Sequence, residues 1–216
     1  ERVGLVAARV MRPDGVAVPV DRADPLGTLG RLVQEDLCLM TPGEAGYALH
    51  AASLCFPGRW LLGEKLGKPM MGIHEPVSGY AEKLGKPVDR FFTHLKADKP
   101  VSRLNWSILD DPALFQTSGH SSTVQHREIT AENAGKCLWL RIERQTLRRL
   151  PQSGDILFTI RTFVDPLCAL EGRPDLAASL RGAIADMPEG MQRYKSLIPF
   201  REALDGYLGA LMERAA

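Results

Sequence analysis

The sequence predicts an α+β fold, in which helices are inserted between an N-terminal β-hairpin and a C-terminal run of antiparallel strands. Three observations predict it: a hairpin pattern at the start, helical segments in the middle, and three strand-like segments after residue 100. The 216 residues, 44% of them apolar and 25% charged, are enough for a domain with a substantial core. We expect one main domain over residues 1–170, with a C-terminal helical extension over 171–216 packed on it.

The hairpin is predicted by two β-rich runs within Val3 to Val20, which flank a Pro-Asp-Gly turn signal at residues 13–15. Further along, the apolar run Tyr47 to Phe56 indicates a buried strand or an extended segment. The hairpin provides the first two strands of the expected sheet, and the state of the second segment stays open.

A helix is predicted between those segments. Asp24 and Pro25 are an N-cap residue and an N1 proline. One helical stripe contains Leu26, Leu29, Leu32, Val33 and Leu37. The stripe predicts an amphipathic helix that ends near Met40.

The hexamer EKLGKP occurs twice, at Glu64–Pro69 and Glu82–Pro87. In each copy a glycine able to adopt the left-handed conformation is followed two positions later by a proline. Each copy therefore predicts the end of a helix. His74 lies between the two copies, in the short segment MMGIHEPV, so its ring is expected to be held by short, stiff connections.

The rest of the chain is predicted to contain a helix, three strands and two terminal helices. Their expected bounds are Val88 to Leu95 for the helix, Val101 to Leu109, Cys137 to Leu147 and Ile156 to Val164 for the strands, and Asp175 to Asp186 and Pro199 to Glu213 for the terminal helices. Period-two alternation puts Leu138, Leu140 and Ile142 on a core face of the second strand, and Trp139, Arg141, Glu143 and Gln145 on a polar face. This order of elements predicts a PAS-like domain.

Composition excludes several classes of partner. Lys plus Arg number 27 against 26 for Asp plus Glu, so no field of one sign attracts nucleic acid or an anionic membrane. No apolar run is long enough to span a bilayer, and the chain does not open with a signal peptide. The four cysteines lack metal or cluster spacing and are expected to be reduced core residues of a cytoplasmic protein. Because the chain opens on Glu1 directly in an apolar run, we expect that a native segment precedes it.

Six motifs in order resemble one protein family: CFPGRW, KPMMGIHEPV, VDRFF, RLNWSI, LRIERQTLRRLP and FTIRTF. Together they are similar to the haem-dependent oxidative N-demethylase alpha-subunit family, from Leu26 to about Pro166. The resemblance implies that residues 1–170 form a PAS-like haem-binding domain holding a b-type haem with its iron.

The resemblance also implies an activity. Such an oxidoreductase, a monooxygenase, uses dioxygen and electrons to remove a methyl group from a small secondary amine. The sequence contains no Gly-rich dinucleotide loop and no cluster cysteines, so the electrons are expected to come from a partner reductase subunit.

His74 is the candidate axial ligand of the haem iron, since haem needs one neutral imidazole whose other nitrogen is fixed by a hydrogen bond. The alternative role for His74 is to cap a helix end or to satisfy a backbone carbonyl. His94 is the second candidate ligand, because it lies on the helix just before the third strand, where PAS haem proteins often place one.

The candidate catalytic residues are Arg141, Glu143 and Arg161. Either arginine could donate to reduced dioxygen, and Glu143 could hold the amine as a cation. The alternative role of the arginines is ion pairing on the polar face of the sheet. Arg103 and Asn105 are candidates for contact with the cofactor.

Trp106 and Trp139 are candidates for sheltering the amine cation by a cation–π contact, the alternative being core packing.

Two other functions stay open at this point. One is a PAS-type sensor that binds haem or a small ligand without turnover, and the other is a haem-free interaction domain.

Overall fold

The computed structural model describes residues 8–118 and 128–213, and its centre is a five-stranded antiparallel sheet. In chain order the strands are β1 (Arg9–Met11), β2 (Ala17–Pro19), β3 (Glu35–Gly43), β4 (Gly46–Ser53), β5 (Val101–Leu109), β6 (Trp139–Arg149) and β7 (Ile156–Pro166). The sheet has the order β4-β3-β7-β6-β5, and all neighbouring pairs are antiparallel. With helices between β4 and β5 and after β7, the predicted α+β class is confirmed.

The hairpin that starts the main sheet is β3–β4, not the first hairpin of the chain. Strands β1 and β2 pair with each other in a separate two-stranded sheet around Gly15, whose φ is +83°. The predicted run of this hairpin begins at Val3, and its first residues lie outside the described part of the chain.

The prediction of a helix that continues to Met40 is wrong after Gly30. Helix α1 spans only Pro25–Gly30, and Leu37 and Met40 belong to β3. This strand lies between β4 and β7, so its backbone hydrogen bonds are satisfied on both edges. Three consecutive side chains, Asp36 to Cys38, are buried, and a strand buried on both faces shows no period-two alternation in its sequence.

A run of short helices connects β4 to β5. It contains α2 (Leu62–Lys65), α3 (Met70–Ile73), a π-helical turn (Ala81–Gly85) and α4 (Lys86–His94). The first EKLGKP copy ends α2 as predicted, with Gly67 at φ +79°. The second copy does not end a helix, which corrects the sequence interpretation. Its chain passes through the π turn into α4 with Pro87 in the first turn, where a missing N–H costs little.

The two faces of the sheet are covered by different helices. The inner face, which carries Met40 and Leu147, packs against α2 to α4 around Phe92 and Leu95. Arg149 ties α4 to this face, since its guanidinium donates to the carbonyls of Phe92 and Leu95 and so satisfies the end of the helix.

The outer face carries Ile108 and Leu140 and packs against the C-terminal helices. These are α5 (Ala134–Cys137), α6 (Pro174–Ala185), α7 (Glu189–Tyr194) and α8 (Arg201–Glu213), with 3₁₀ turns at Leu167–Leu170 and Ile198–Phe200. The core of this layer includes Leu138, Leu167, Leu204 and Leu208. Within the described residues no helix is long and apolar enough to cross a membrane.

The cysteines only partly follow the expectation of a reduced core. All four are free thiols; Cys38 and Cys137 are buried, but Cys55 is exposed. Burial raises the pKa of the Cys38 thiol to about 12, so this side chain behaves as an apolar core residue.

Candidate functional site

A row of polar side chains crosses the inner face from β5 to β6. Asn105 lies opposite Glu143, and Arg103 lies opposite Gln145. The Glu143 carboxylate accepts from Gln145 Nε2 at 2.9 Å and from Asn105 Nδ2 at 3.3 Å. Arg103 Nε donates to Gln145 Oε1 at 2.8 Å, which completes a continuous hydrogen-bonded row with Glu143 at its centre.

The polar face of β6 that the sequence predicted is largely buried in the structure. Arg141 is only 1% exposed and Gln145 7%. The guanidinium of Arg141 donates to the carbonyl oxygens of Leu114 (3.1 Å) and Phe56, and its Nε lies 3.7 Å from Glu143 Oε1. Burial lowers the pKa of Arg141, while the neighbouring carboxylates of Glu143 and Asp36 oppose the shift. Arg141 thus acts as a brace between the sheet and the loop that follows β4.

That loop is the CFPGRW motif, and its shape depends on two of its residues. A Cβ on Gly58 would lie 3.2 Å from Arg141 Nε and 3.4 Å from Glu143 Oε1, so only glycine fits without displacing them. Arg59 follows in the left-handed conformation (φ +63°) and is 2% exposed, paired with the buried carboxylate of Asp110. The motif covers Arg141 and is itself held by the buried pair of Arg59 and Asp110.

Asp36 supports the same loop from β3. Its Oδ1 accepts from the backbone N–H groups of Cys55 (2.6 Å) and Phe56 (3.0 Å). Burial raises the pKa of this carboxyl, and these hydrogen bonds and the charge of Arg141 oppose the rise.

His74 is half-buried at the C-terminal end of α3. Its Nδ1 lies 2.9 Å from the carbonyl oxygen of Met70, and its ring stacks on Tyr80 with centroids 4.3 Å apart and planes 9° apart. Burial lowers the pKa of His74, and the charges of Arg103 and Lys65 lower it further, although the Met70 contact opposes them. A neutral ring that donates from Nδ1 keeps a lone pair on Nε2, and this is the arrangement required of a metal-binding imidazole.

His94 has a similar local contact in a different setting. Its Nδ1 lies 2.7 Å from the Arg90 carbonyl oxygen, but the side chain is exposed. With Phe91 and Lys86 it lines an open groove of about 640 Å³ on the outside of α4. Phe92, by contrast, is buried in the inner core, so His94 points away from the polar row.

Sequence reasoning missed Lys195 and Tyr194, which approach the row from α7. The Lys195 ammonium donates to Asn105 Oδ1 at 3.1 Å and to the Trp106 carbonyl, and lies 5.3 Å from the centre of the Trp106 ring. Burial raises the pKa of Tyr194, and the charge of Glu143 raises it further. Burial lowers the pKa of Lys195, and the charge of Glu143 opposes that shift. No local sequence signal marks these residues, because only the packing of the C-terminal helices brings them to β5.

Of the six predicted site residues, the structure brings four together on the inner face of the sheet, separates one from them, and places His74 at the end of α3. Arg103, Asn105, Arg141 and Glu143 share the inner face. Arg161 lies opposite Arg144 on the outer face, 4.0 Å from Glu35 and over the ring of Phe163. The Trp106 ring lies 5.3 Å from the ammonium of Lys195, and its predicted contact with the amine substrate stays a prediction. Trp139 lies at the start of β6, paired with Leu109.

The fold and this row define a class of protein: an α+β domain with a hydrogen-bonded polar row on the face of its sheet that the inserted helices pack against. The family model described as "Haem-dependent oxidative N-demethylase, alpha subunit-like" matches residues 7–205. The chain belongs to that family, and the resemblance seen in its motifs is confirmed.

Proposed function

We propose that this chain is the haem-binding catalytic subunit of an oxidative N-demethylase acting on a small secondary amine. The observation that carries the proposal is the His74 imidazole, whose pKa is lowered by burial and by the charge of Arg103, together with the polar row that contains Arg103 and Glu143. An imidazole suits the iron of a b-type haem, and a carboxylate suits an amine that is protonated near neutral pH.

The donor set fits one axial ligand. Among the described residues no three His, Cys, Asp or Glu side chains are grouped to hold a metal ion, whereas haem iron needs a single strong protein ligand because the porphyrin supplies four. His74 is favoured over His94 because its ring is half-buried against Tyr80 and its pKa is lowered by burial and by the charge of Arg103, whereas His94 is exposed. Arg103 has the charge required by a haem propionate.

Haem, when bound, supplies the activation of dioxygen: R–NH–CH₃ with O₂, two electrons and two protons gives R–NH₂, formaldehyde and water. The electrons come from outside the chain, from a reductase subunit. Glu143 binds the substrate ammonium. Arg141, anchored to the Phe56 carbonyl of the CFPGRW loop, holds Glu143 in place by direct ion pairing. Arg161 has no part in this arrangement, since it lies on the outer face.

The first test is a titration of the purified chain with hemin, followed by absorption spectroscopy, for the wild type, His74→Ala and His94→Ala. We expect a stoichiometric Soret band that shifts on reduction in the wild type and in His94→Ala, and is lost or altered in His74→Ala. A flat titration of a folded wild type would contradict haem binding, and a defect confined to His94→Ala would reassign the ligand.

Turnover is tested next, with the loaded protein, a chemical reductant, dioxygen and a methylated secondary amine. We expect formaldehyde in proportion to amine consumed, and an increase in KM of tenfold or more for Glu143→Gln, because the ammonium loses its counter-charge. Haem binding without formaldehyde would favour the alternative, a PAS-type sensor.

A further inference from the structure

Lys195 occupies a small cradle on the edge strand β5. The cradle consists of Asn105 Oδ1, the Trp106 carbonyl oxygen and the face of the Trp106 indole ring. Two oxygen acceptors and one aromatic face are the chemistry that selects an alkylammonium ion. The cation that fills the cradle is tethered to the chain itself.

The backbone around Lys195 indicates that this placement is built into the fold. Ser196, the next residue, is buried and adopts φ +59°, a conformation that side-chain-bearing residues rarely take. Gln192, also buried, donates to the Met187 carbonyl at 2.8 Å and so fixes α7 against the end of α6. Such a strained position persists only where the surrounding packing determines it.

The consequence of the cradle lies at Asn105. Lys195 takes the amide oxygen of this side chain, and the amide nitrogen therefore points to Glu143 Oε2. If the amide turned over, its oxygen would face the carboxylate and the two acceptors would repel each other. An ammonium in the cradle thus selects the orientation that supports Glu143.

We propose that Lys195 is a positioning residue: a tethered ammonium that fixes the Asn105 amide and so holds Glu143 for a cationic ligand. By filling the Trp106 cradle, Lys195 also keeps a free amine out of it. A free amine then binds at Glu143 instead. This last point rests on the proposed function, whereas the positioning role rests on the geometry alone.

Chemical rescue tests the proposal on the haem-free chain. Lys195→Ala leaves a gap that a methylammonium ion fits. We expect its unfolding temperature to fall below that of the wild type and to be restored saturably by methylammonium chloride. Potassium chloride at equal ionic strength is expected to restore little, and so is tetramethylammonium, which has no N–H to donate to the two oxygens of the cradle.

Two controls make the rescue specific. Arg193→Ala removes an exposed cation of the same helix, which pairs with Glu189, and is expected to show no methylammonium effect beyond that of salt. Lys195→Ala combined with Asn105→Ala removes a wall of the cradle and is expected to reduce the rescue at least fivefold in apparent affinity. A folded Lys195→Ala that does not respond to methylammonium would overturn the proposal.

A measurement on the wild type decides the matter if Lys195→Ala does not fold. In protein labelled with ¹⁵N at the lysine ammonium groups, we expect one ammonium signal protected from solvent exchange and displaced by the ring current of an indole. That displacement should disappear in Trp106→Leu. Rapid exchange of every lysine ammonium would overturn the proposal. Because neither test uses haem, such a result would not bear on the haem binding that the His74 titration measures.

Discussion

At the scale of single residues, we expect His74 to make the stability of the protein depend on pH. Burial is the largest cause that lowers its pKa, so the unfolded chain binds a proton more readily at this position than the folded one. Stability contributed by the neutral ring is present above the ordinary histidine pKa of about 6.5 and is lost as pH falls through the lowered, folded value.

We therefore expect wild type to lose stability relative to His74→Gln below about pH 6.5, by at most about 1.4 kcal/mol per pH unit. Glutamine can still donate to the Met70 carbonyl but carries no titrating ring. Urea unfolding at several pH values measures the difference, and groups that titrate alike in both proteins, such as Asp36, cancel. Parallel curves for wild type and His74→Gln would show that His74 is not buried in its neutral form, and His94→Gln provides the exposed-histidine control.

At the scale of elements, the CFPGRW loop fits closely over β6. In Gly58→Ala the new methyl group would meet Arg141 Nε at 3.2 Å and Glu143 Oε1 at 3.4 Å, and both belong to a buried, hydrogen-bonded arrangement with little room to move. We expect a loss of about 1–3 kcal/mol in the free energy of unfolding, as for other overpacked sites. Weaker amine binding should accompany it, because Glu143 is displaced.

Gly182→Ala is the matched control for that substitution. Gly182 lies inside α6, and nothing stands within 4 Å of an added Cβ. Alanine there should stabilise the protein by about 0.5–1 kcal/mol through its better helix propensity. Equal effects of the two substitutions in denaturant unfolding would mean that the loop is looser than its geometry indicates.

The elements also show what sequence patterns can predict. The strands β5 to β7 were predictable because runs of β-branched and aromatic residues end at clear turn signals. The leucine stripe before Met40 misled, because periodicity cannot distinguish a helix from a strand that is buried on both faces. The second EKLGKP copy misled for another reason: only the π turn lets the helix continue past Gly85.

At the scale of the whole molecule, the site draws on segments far apart in the chain. Alternation along β6 predicted that Arg141 and Glu143 share a face, and motif resemblance selected His74. The cover of that face and the approach of Lys195 could not be predicted, since they depend on how α7 packs against the edge strand β5. Arg161 was predicted to join Arg141 and Glu143 because a single sequence does not reveal the register between strands. In the structure the register pairs Arg161 with Arg144, on the outer face.

The packing of the C-terminal helices on the outer face should make them part of one cooperative unit with the sheet. Leu208 on α8 is fully buried in the core that also contains Ile108 and Leu138. We expect Leu208→Ala to cost about 2–5 kcal/mol, while Leu176→Ala on α6, where the side chain is 42% exposed, costs less than about 1 kcal/mol.

Urea unfolding followed by both far-ultraviolet circular dichroism and tryptophan fluorescence tests this expectation. Tryptophans 106 and 139 report on β5 and β6, whereas much of the helical signal comes from α6 and α8. Coincident transitions that shift together in Leu208→Ala are expected, because removing a core side chain weakens both layers at once. An early loss of helical signal with unchanged fluorescence would instead make residues 171–216 a separately unfolding layer, and Lys195 would leave the site before the sheet unfolds.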